Sequence, residues 1–186
     1  MTTATVQLPG LTAGVWAIDL AHSEVSFTVR HLMVSKVRGT FTKFEGTLNV
    51  ADDVLASSVQ ATIDLDSIDT RDANRDNHLR SADFFEIEKY PTMTYQSTGI
   101  RAEGDHFVVE GDLSLHGVTK SVPLTLEFNG VSTDPWGGTR AGFSAEGEIN
   151  RRDFGIDISM PLDGGGVVVG DKIKISIEIE AVLNQQ

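Results

Sequence analysis

The chain contains no cysteine. Disulfides, zinc–thiolate centres and thiol nucleophiles are therefore excluded. Positive charge is scarce: 15 Lys and Arg stand against 27 Asp and Glu, for a formal net charge of −12. Nucleic acids and anionic lipid surfaces both require clustered basic side chains, so this balance argues against either partner. The only adjacent basic pair is Arg151–Arg152, and it is expected to be solvated. Long apolar runs are missing too. No stretch approaches the ~20 apolar residues of a membrane helix, so no membrane insertion is expected. The opening MTTATVQLPGLTAGVW has neither the basic start nor the apolar run of a secretory signal, which reads as a cytoplasmic protein.

Motifs of catalysis are absent as well. There is no HExxH, no GxSxG elbow and no phosphate loop; the Gly164–Gly166 run lacks the Lys and Ser/Thr of one and reads as a turn. The histidines His22, His31, His78, His106 and His116 are scattered and are expected to be hydrogen-bonded turn residues. No catalytic residue, metal site or cofactor is expected.

What the chain does have is alternation. Val25, Phe27 and Val29 alternate with polar residues, as do Val37, Gly39 and Phe41. The parity then slips by one, and Phe44, Gly46, Leu48 and Val50 carry the apolar face onward, as a bulge or sharp bend would require. The pattern returns over Val59–Leu65, Met93–Tyr95, Phe107–Leu115, Val122–Phe128, Ala141–Ile149 and Ile173–Ala181. One-sided apolar strands of this kind belong to antiparallel sheets. The expectation is an all-β fold: an extended antiparallel barrel of about eight strands, with a sandwich as the alternative. A chain of 186 residues suits one domain, with residues 1–13 read as an N-terminal tail and 14–186 as the barrel.

One segment, Asp69–Lys89, lacks the alternation. It is expected to form a short helical flap, capped by Asp69 or Thr70 and supported by an Asp76–Arg80 pair. Phe84 and Phe85 follow it.

The inward face carries almost nothing ionisable and includes Gly39, Gly46, Ala61, Gly111, Ala141, Ala145, Gly147 and Ala181. Small inward residues are expected to leave an open lumen, although barrels also alternate small and large residues to fill their taper. An apolar ligand would meet Phe27, Val29, Phe41, Phe44 and Ile63 from the first strands, and Phe84 and Phe85 from the flap. From the later strands it would meet Tyr95, Val109, Gly111, Leu113, Leu126, Phe143, Ala145, Ile175 and Ile177.

The blocks WAIDLAHSEVSFTVRH, VRGTFTKFEGTL, DLDSIDTRDANRDNHLRSADFF with Lys89–Pro91, GDLSLHGVTKSVPL and INRRDFGI resemble the YceI-like family of polyisoprenoid-binding proteins. The resemblance runs from Trp16 to Val182. It implies a lipocalin-like barrel whose tunnel holds an isoprenoid lipid, either a polyprenyl phosphate or a quinone tail, often in a homodimer, with no catalytic residues to transfer. Gly14-Val15-Trp16 also matches the GxW that opens lipocalin barrels, where the Trp packs across the closed end. Three readings follow for function: a lipid carrier or sequestering protein, an enzyme acting on a lipid head group at the barrel mouth, and an interaction module with a filled core. The fold expectation predicts a strand-dominated far-UV circular dichroism spectrum, and a helical fraction above about one-third, the globular average, would refute it.

Overall fold

The computed structural model describes residues 6–31, 34–157 and 169–184. Its strands are β1 (Gly14–Ile18), β2 (Glu24–His31), β3 (Ser35–Phe41), β4 (Phe44–Val50), β5 (Ser58–Asp64) and β6 (Ile68–Asp69), then β7 (Thr92–Glu103), β8 (His106–Leu115), β9 (Val118–Ser121), β10 (Leu124–Thr133), β11 (Thr139–Asn150) and β12 (Val169–Leu183). A single α-helix among the described residues, α1 (Ala73–Arg80), lies between β6 and β7. Pairing is antiparallel throughout, and β1 bonds both β4 and β12, with Trp16 opposite Leu48 on one side and Leu183 on the other. That double pairing closes an eight-strand barrel.

Several strands are long strands interrupted. β1 and β2 lie end to end along β12. β3 and β4 are one bent strand: Phe41 and Phe44 are both buried, so the bend at Thr42–Lys43 accounts for the parity slip in the sequence. Pro123, which has no N–H to give a ladder, separates β9 from β10.

At one end of the barrel the wall parts twice. β6 pairs β3 but not β7, whose ladder with β5 ends at Thr92 opposite Asp64. Residues 70–91 fill that gap. β9 pairs only β8, and β11 beyond Glu146 pairs only β12. The second gap is filled by a short 3-10 turn, Arg151–Phe154, that packs against β9, with Phe154 and Ile156 both buried.

Two clusters make the core. The larger runs from Phe41, Phe44 and Leu65 to Leu115, Phe154 and Ile156 beneath these two plugs. The smaller gathers Trp16, Val50, Ala141, Phe143 and Ala181 at the opposite end. Trp16 is fully buried there, and its indole N–H donates to the Thr12 carbonyl at 3.0 Å. Residues 6–13 lie along this end: the Val54 N–H donates to the Val6 carbonyl at 2.8 Å, and Leu11 packs on the smaller cluster. By contrast Trp136, at the tip of the β10–β11 hairpin, is 86% exposed.

The flap departs from its expected details. The helix cap is Asp72, whose carboxylate accepts the N–H groups of Asn74 and Arg75 at 3.0 and 3.1 Å. Asp76 turns inward and accepts the N–H and hydroxyl of Thr70, at 2.9 and 2.5 Å. Arg80 instead reaches the Asp66 carboxylate at 3.1 Å and the carbonyls of Asp66 and Ile68. The expected Asp76–Arg80 pair does not form, because burying the acid against Thr70 offers it donors that a solvated pair cannot match.

The inward glycines seat large side chains rather than space. A Cβ on Gly39 would overlap the Phe27 ring, and one on Gly111 would overlap Tyr95. The Tyr95 hydroxyl then donates to the Val122 carbonyl at 2.8 Å, beside the break at Pro123. Gly46 and Gly147 similarly lie under Ile18 and Leu124. The expectation that these glycines open the lumen is corrected: each is the small partner of a large neighbour, the taper-filling alternative. Tyr95→Phe should lower stability by about 1 kcal/mol, the usual worth of one hydrogen bond. Gly111→Ala should lower it further by displacing the ring. Urea denaturation tests both, and a Gly111→Ala protein as stable as the parent would show that the ring does not need its seat.

Candidate ligand-binding cavity

Inside the barrel runs an apolar cavity of about 250 Å³. Its middle is walled by Val109 and Leu113 of β8, Leu126 of β10, Ala145 of β11, and Ile175 and Ile177 of β12. Toward the plugs it meets Phe27, Phe41, Phe44, Ile63 and Phe85; toward the sealed end it meets Phe143, Phe128 and Leu11.

Most of the residues expected at a ligand site border this space, and three do not. Gly111 is covered by Tyr95, which lines the cavity in its place. Phe84 is buried in the core against the His78 ring, 5.0 Å between centroids, and leaves Phe85 as the flap ring that reaches the cavity. Val29 sits between Val37 and Ile173, toward the β2–β3 turn and outside the lining.

The cavity also includes residues that the pattern did not single out. Ile100 joins because β7 bulges between Ser97 and Gly99, so that Tyr95 and Ile100 turn inward from opposite parities. The glycine at position 99 was the available signal. Leu8 and Leu11 join from the segment read as a tail. Arg151 joins from the pair expected to be solvated. It is 2% exposed, and its guanidinium donates to the carbonyls of Ile156 at 2.7 Å and Gly170 at 3.1 Å and pairs with Asp171 at 3.2 Å. Arg152 alone is exposed. Burial lowers the Arg151 pKa, against the pull of Asp171. This arginine ties the start of β12 to the Arg151–Phe154 plug.

Polar chemistry inside is sparse. Burial raises the Tyr95 hydroxyl above the ordinary tyrosine range, reinforced by Glu110 and Asp112. It therefore stays a neutral donor to Val122. Of the histidines, His78 meets Asp83 at 2.9 Å and His22 meets Asp19 at 2.7 Å, both near the surface. His106 lies 3.4 Å from Asp105 at the β7–β8 turn. The side chain of His31 and the run Gly164–Gly166 lie outside the described residues. Asp19, His22 and Glu180 bring potential metal ligands within 4.8 Å of one another. A cation already stands among them: Arg140 donates to Asp19 at 2.7 Å, to Glu180 at 2.9 Å and to Asp134 at 2.9 Å. Among the described residues no helix is long and apolar enough to cross a membrane.

Comparison with known proteins agrees with this architecture. The YceI-like domain family matches residues 16–181. Protein YceI of Escherichia coli O157:H7 is 47% identical over 136 residues, covering 73% of this chain and 71% of that protein. The crystal structure of Burkholderia cenocepacia BcnA superposes with a TM-score of 0.74 at 24% identity, over 88% of this chain and 98% of that one. A polyisoprenoid binding domain from Saccharophagus degradans, implicated in plant cell wall breakdown, gives a TM-score of 0.69 at 18% identity, over 91% of this chain and 98% of its own.

The Arg140 cluster generates a pH dependence. Arg140 holds the carboxyls of Asp19 and Asp134 below the usual carboxylate range, with His22 adding to the effect on Asp19. A carboxyl whose folded pKa is depressed contributes stability above its unfolded pKa of about 4 and loses it as pH falls through the folded value. Arg140→Gln should therefore unfold at lower urea than the parent at pH 7, with the two midpoints converging below about pH 4. A gap of constant size from pH 7 to pH 3 would assign Arg140 a packing role instead.

Proposed function

The chain belongs to the YceI-like family, and on that footing we propose that it binds an isoprenoid lipid in the barrel lumen, as a carrier or sequestering protein. The observation that carries the reading is the continuity of the apolar wall from Leu11 and Phe143 at the sealed end to Phe41 and Phe85 at the plugs. Such a wall selects by shape and apolarity, and the polyisoprenoid binding domain of Saccharophagus degradans shares this fold. The ligand is an isoprenoid chain with a small head, a polyprenyl phosphate or the tail of a quinone. Its contacts are the inward side chains of β2, β3, β4, β5, β7, β8, β10, β11 and β12, with Phe85 from the flap.

Magnitudes fit releasable binding. Burying one five-carbon unit contributes about 4 kcal/mol gross at ~0.8 kcal/mol per carbon, and ordering a flexible chain takes back much of that. An apolar cavity of roughly 150 Å³ admits one benzene ring. A volume of about 250 Å³ then holds about ten carbons, near two isoprene units. A longer chain enters only if a plug yields.

Solvent extraction of the purified protein followed by mass spectrometry should recover an isoprenoid. Ala145→Phe tests the lumen directly, because Ala145 lines the cavity midway along β11. The ring should be accommodated with little change in melting temperature while uptake of an added isoprenoid falls. A melt lowered by the ~1–3 kcal/mol of an overpacked core, in a parent that takes up no lipid, would overturn the reading.

A further inference from the structure

The two plugs that seal the splayed end meet at one side chain. The β8–β9 hairpin turns at His116-Gly117, and both residues have positive φ, 55° and 76°. This is the backbone of a two-residue type I′ turn, which favours Asn or Gly and strains most other residues. The His116 Nδ1 lies 2.9 Å from the Phe154 carbonyl on the 3-10 plug. On its other side the ring packs edge-on to Tyr90 of the flap at 5.0 Å, and Nε2 lies 3.7 Å from a carboxylate oxygen of Glu86. Glu86 also stands at positive φ, 51°, fixed there by its N–H to Ser81 and by its carbonyl, which accepts from Lys89 and Tyr90. Both members of the pair thus stand on left-handed backbone, which residues other than glycine adopt uncommonly.

The tautomer follows from the partners. A carbonyl only accepts, so Nδ1 must carry the proton and donate to Phe154. In the neutral ring Nε2 is then a lone pair, buried and without a hydrogen-bond partner, facing a carboxylate that also only accepts. Protonating Nε2 converts that frustrated contact into an ion pair spanning the two plugs. The charged residues nearest along the chain on the elements packed against His116 are Asp83, Glu88 and Lys89 on the flap, Arg151, Arg152 and Asp153 on the plug, Asp112 on β8 and Lys120 on β9; Asp83 is held on His78. Lys89 lies over the Tyr90 ring at 5.4 Å, while Arg151 and Arg152 are held on Asp171. Among the described residues the only carboxylate paired with His116 is that of Glu86.

We propose that His116 and Glu86 form a proton-operated clasp that holds both plugs shut over the lipid cavity when His116 is protonated and releases them when it is neutral. The inference rests on the lumen being the ligand site; its sign does not. Protons bind the clasped form better than the open one, so acid slows exchange of the ligand and alkali speeds it.

The test uses the whole protein loaded with retinol, a fluorescent isoprenoid alcohol that does not itself titrate, and follows its transfer to phosphatidylcholine vesicles between pH 5.5 and 8.5. Parent release should quicken across this range by roughly tenfold, the loss of about one hydrogen bond to a charged group. Glu86→Gln offers its amide N–H to Nε2 of the neutral ring and its amide oxygen to the protonated one, and should be slow and flat. His116→Asn keeps a residue suited to the turn but cannot span the plugs, and should be fast and flat. Opposite directions from two folded variants separate a clasp from general destabilisation. Amide exchange of residues 84–90 in the ligand-free protein, corrected for intrinsic rates, should show the same ordering. If retinol binds at no pH, the lipid reading fails, and the amide exchange alone judges the clasp. A parent with pH-independent flap protection, or a Glu86→Gln protein that keeps the parent's pH profile, overturns it.

Discussion

The short strand β1 bears on every other feature because it bonds two partners at once. Edge strands of an open sheet leave rows of N–H and C=O groups that recruit other chains. By bridging β4 and β12, β1 removes both edges along the sealed half and makes the inner faces of eight strands converge. The buried Trp16 ring sits at that seam. An apolar lumen exists because the circumference is fixed there, close to the size at which eight strands either fill themselves or hold one ligand.

The other half of the molecule solves the same problem differently. Its walls part between β6 and β7 and between β9 and β11, and non-strand segments occupy both partings. Ladder bonds along a closed seam are numerous and cooperative. A plug is held by a few side chains, here Phe85 against Phe41, Arg80 on the carbonyls of Asp66 and Ile68, and the contacts around His116. Local opening free energies follow the density of such contacts, so the two ends differ in how readily they open.

How much of this was legible in the sequence depended on whether its cause is local. Strand periodicity is local, and it gave the barrel, the bend after Phe41 and most of the cavity wall. Bulges invert parity without altering composition much, so Ile100 was lost beyond Gly99. The glycines misled because a missing side chain reads the same whether a ring or a void lies above it; only the neighbouring strand, with Phe27 or Tyr95 on it, decides. Arg151 looked like half of a solvated pair since its acceptors, the carbonyls of Ile156 and Gly170, come from backbone that sequence does not show. Asp76 was misassigned for the same reason, its real partner Thr70 lying outside the helix. The meeting of His116 with Glu86 depends on two plugs packing around one turn, which no spacing rule encodes.

The two tryptophans stand at opposite extremes of solvent contact, Trp16 at 0% exposure in the seam and Trp136 at 86% on a hairpin tip. Their light emission is therefore a superposition of two unlike sources, a blue component from a dry indole and a red one from a wet indole. An ionic quencher dissolved in water reaches the second and not the first. The protein thus carries, without any label, one chromophore that reports whether the barrel is sealed and another that serves as its internal reference.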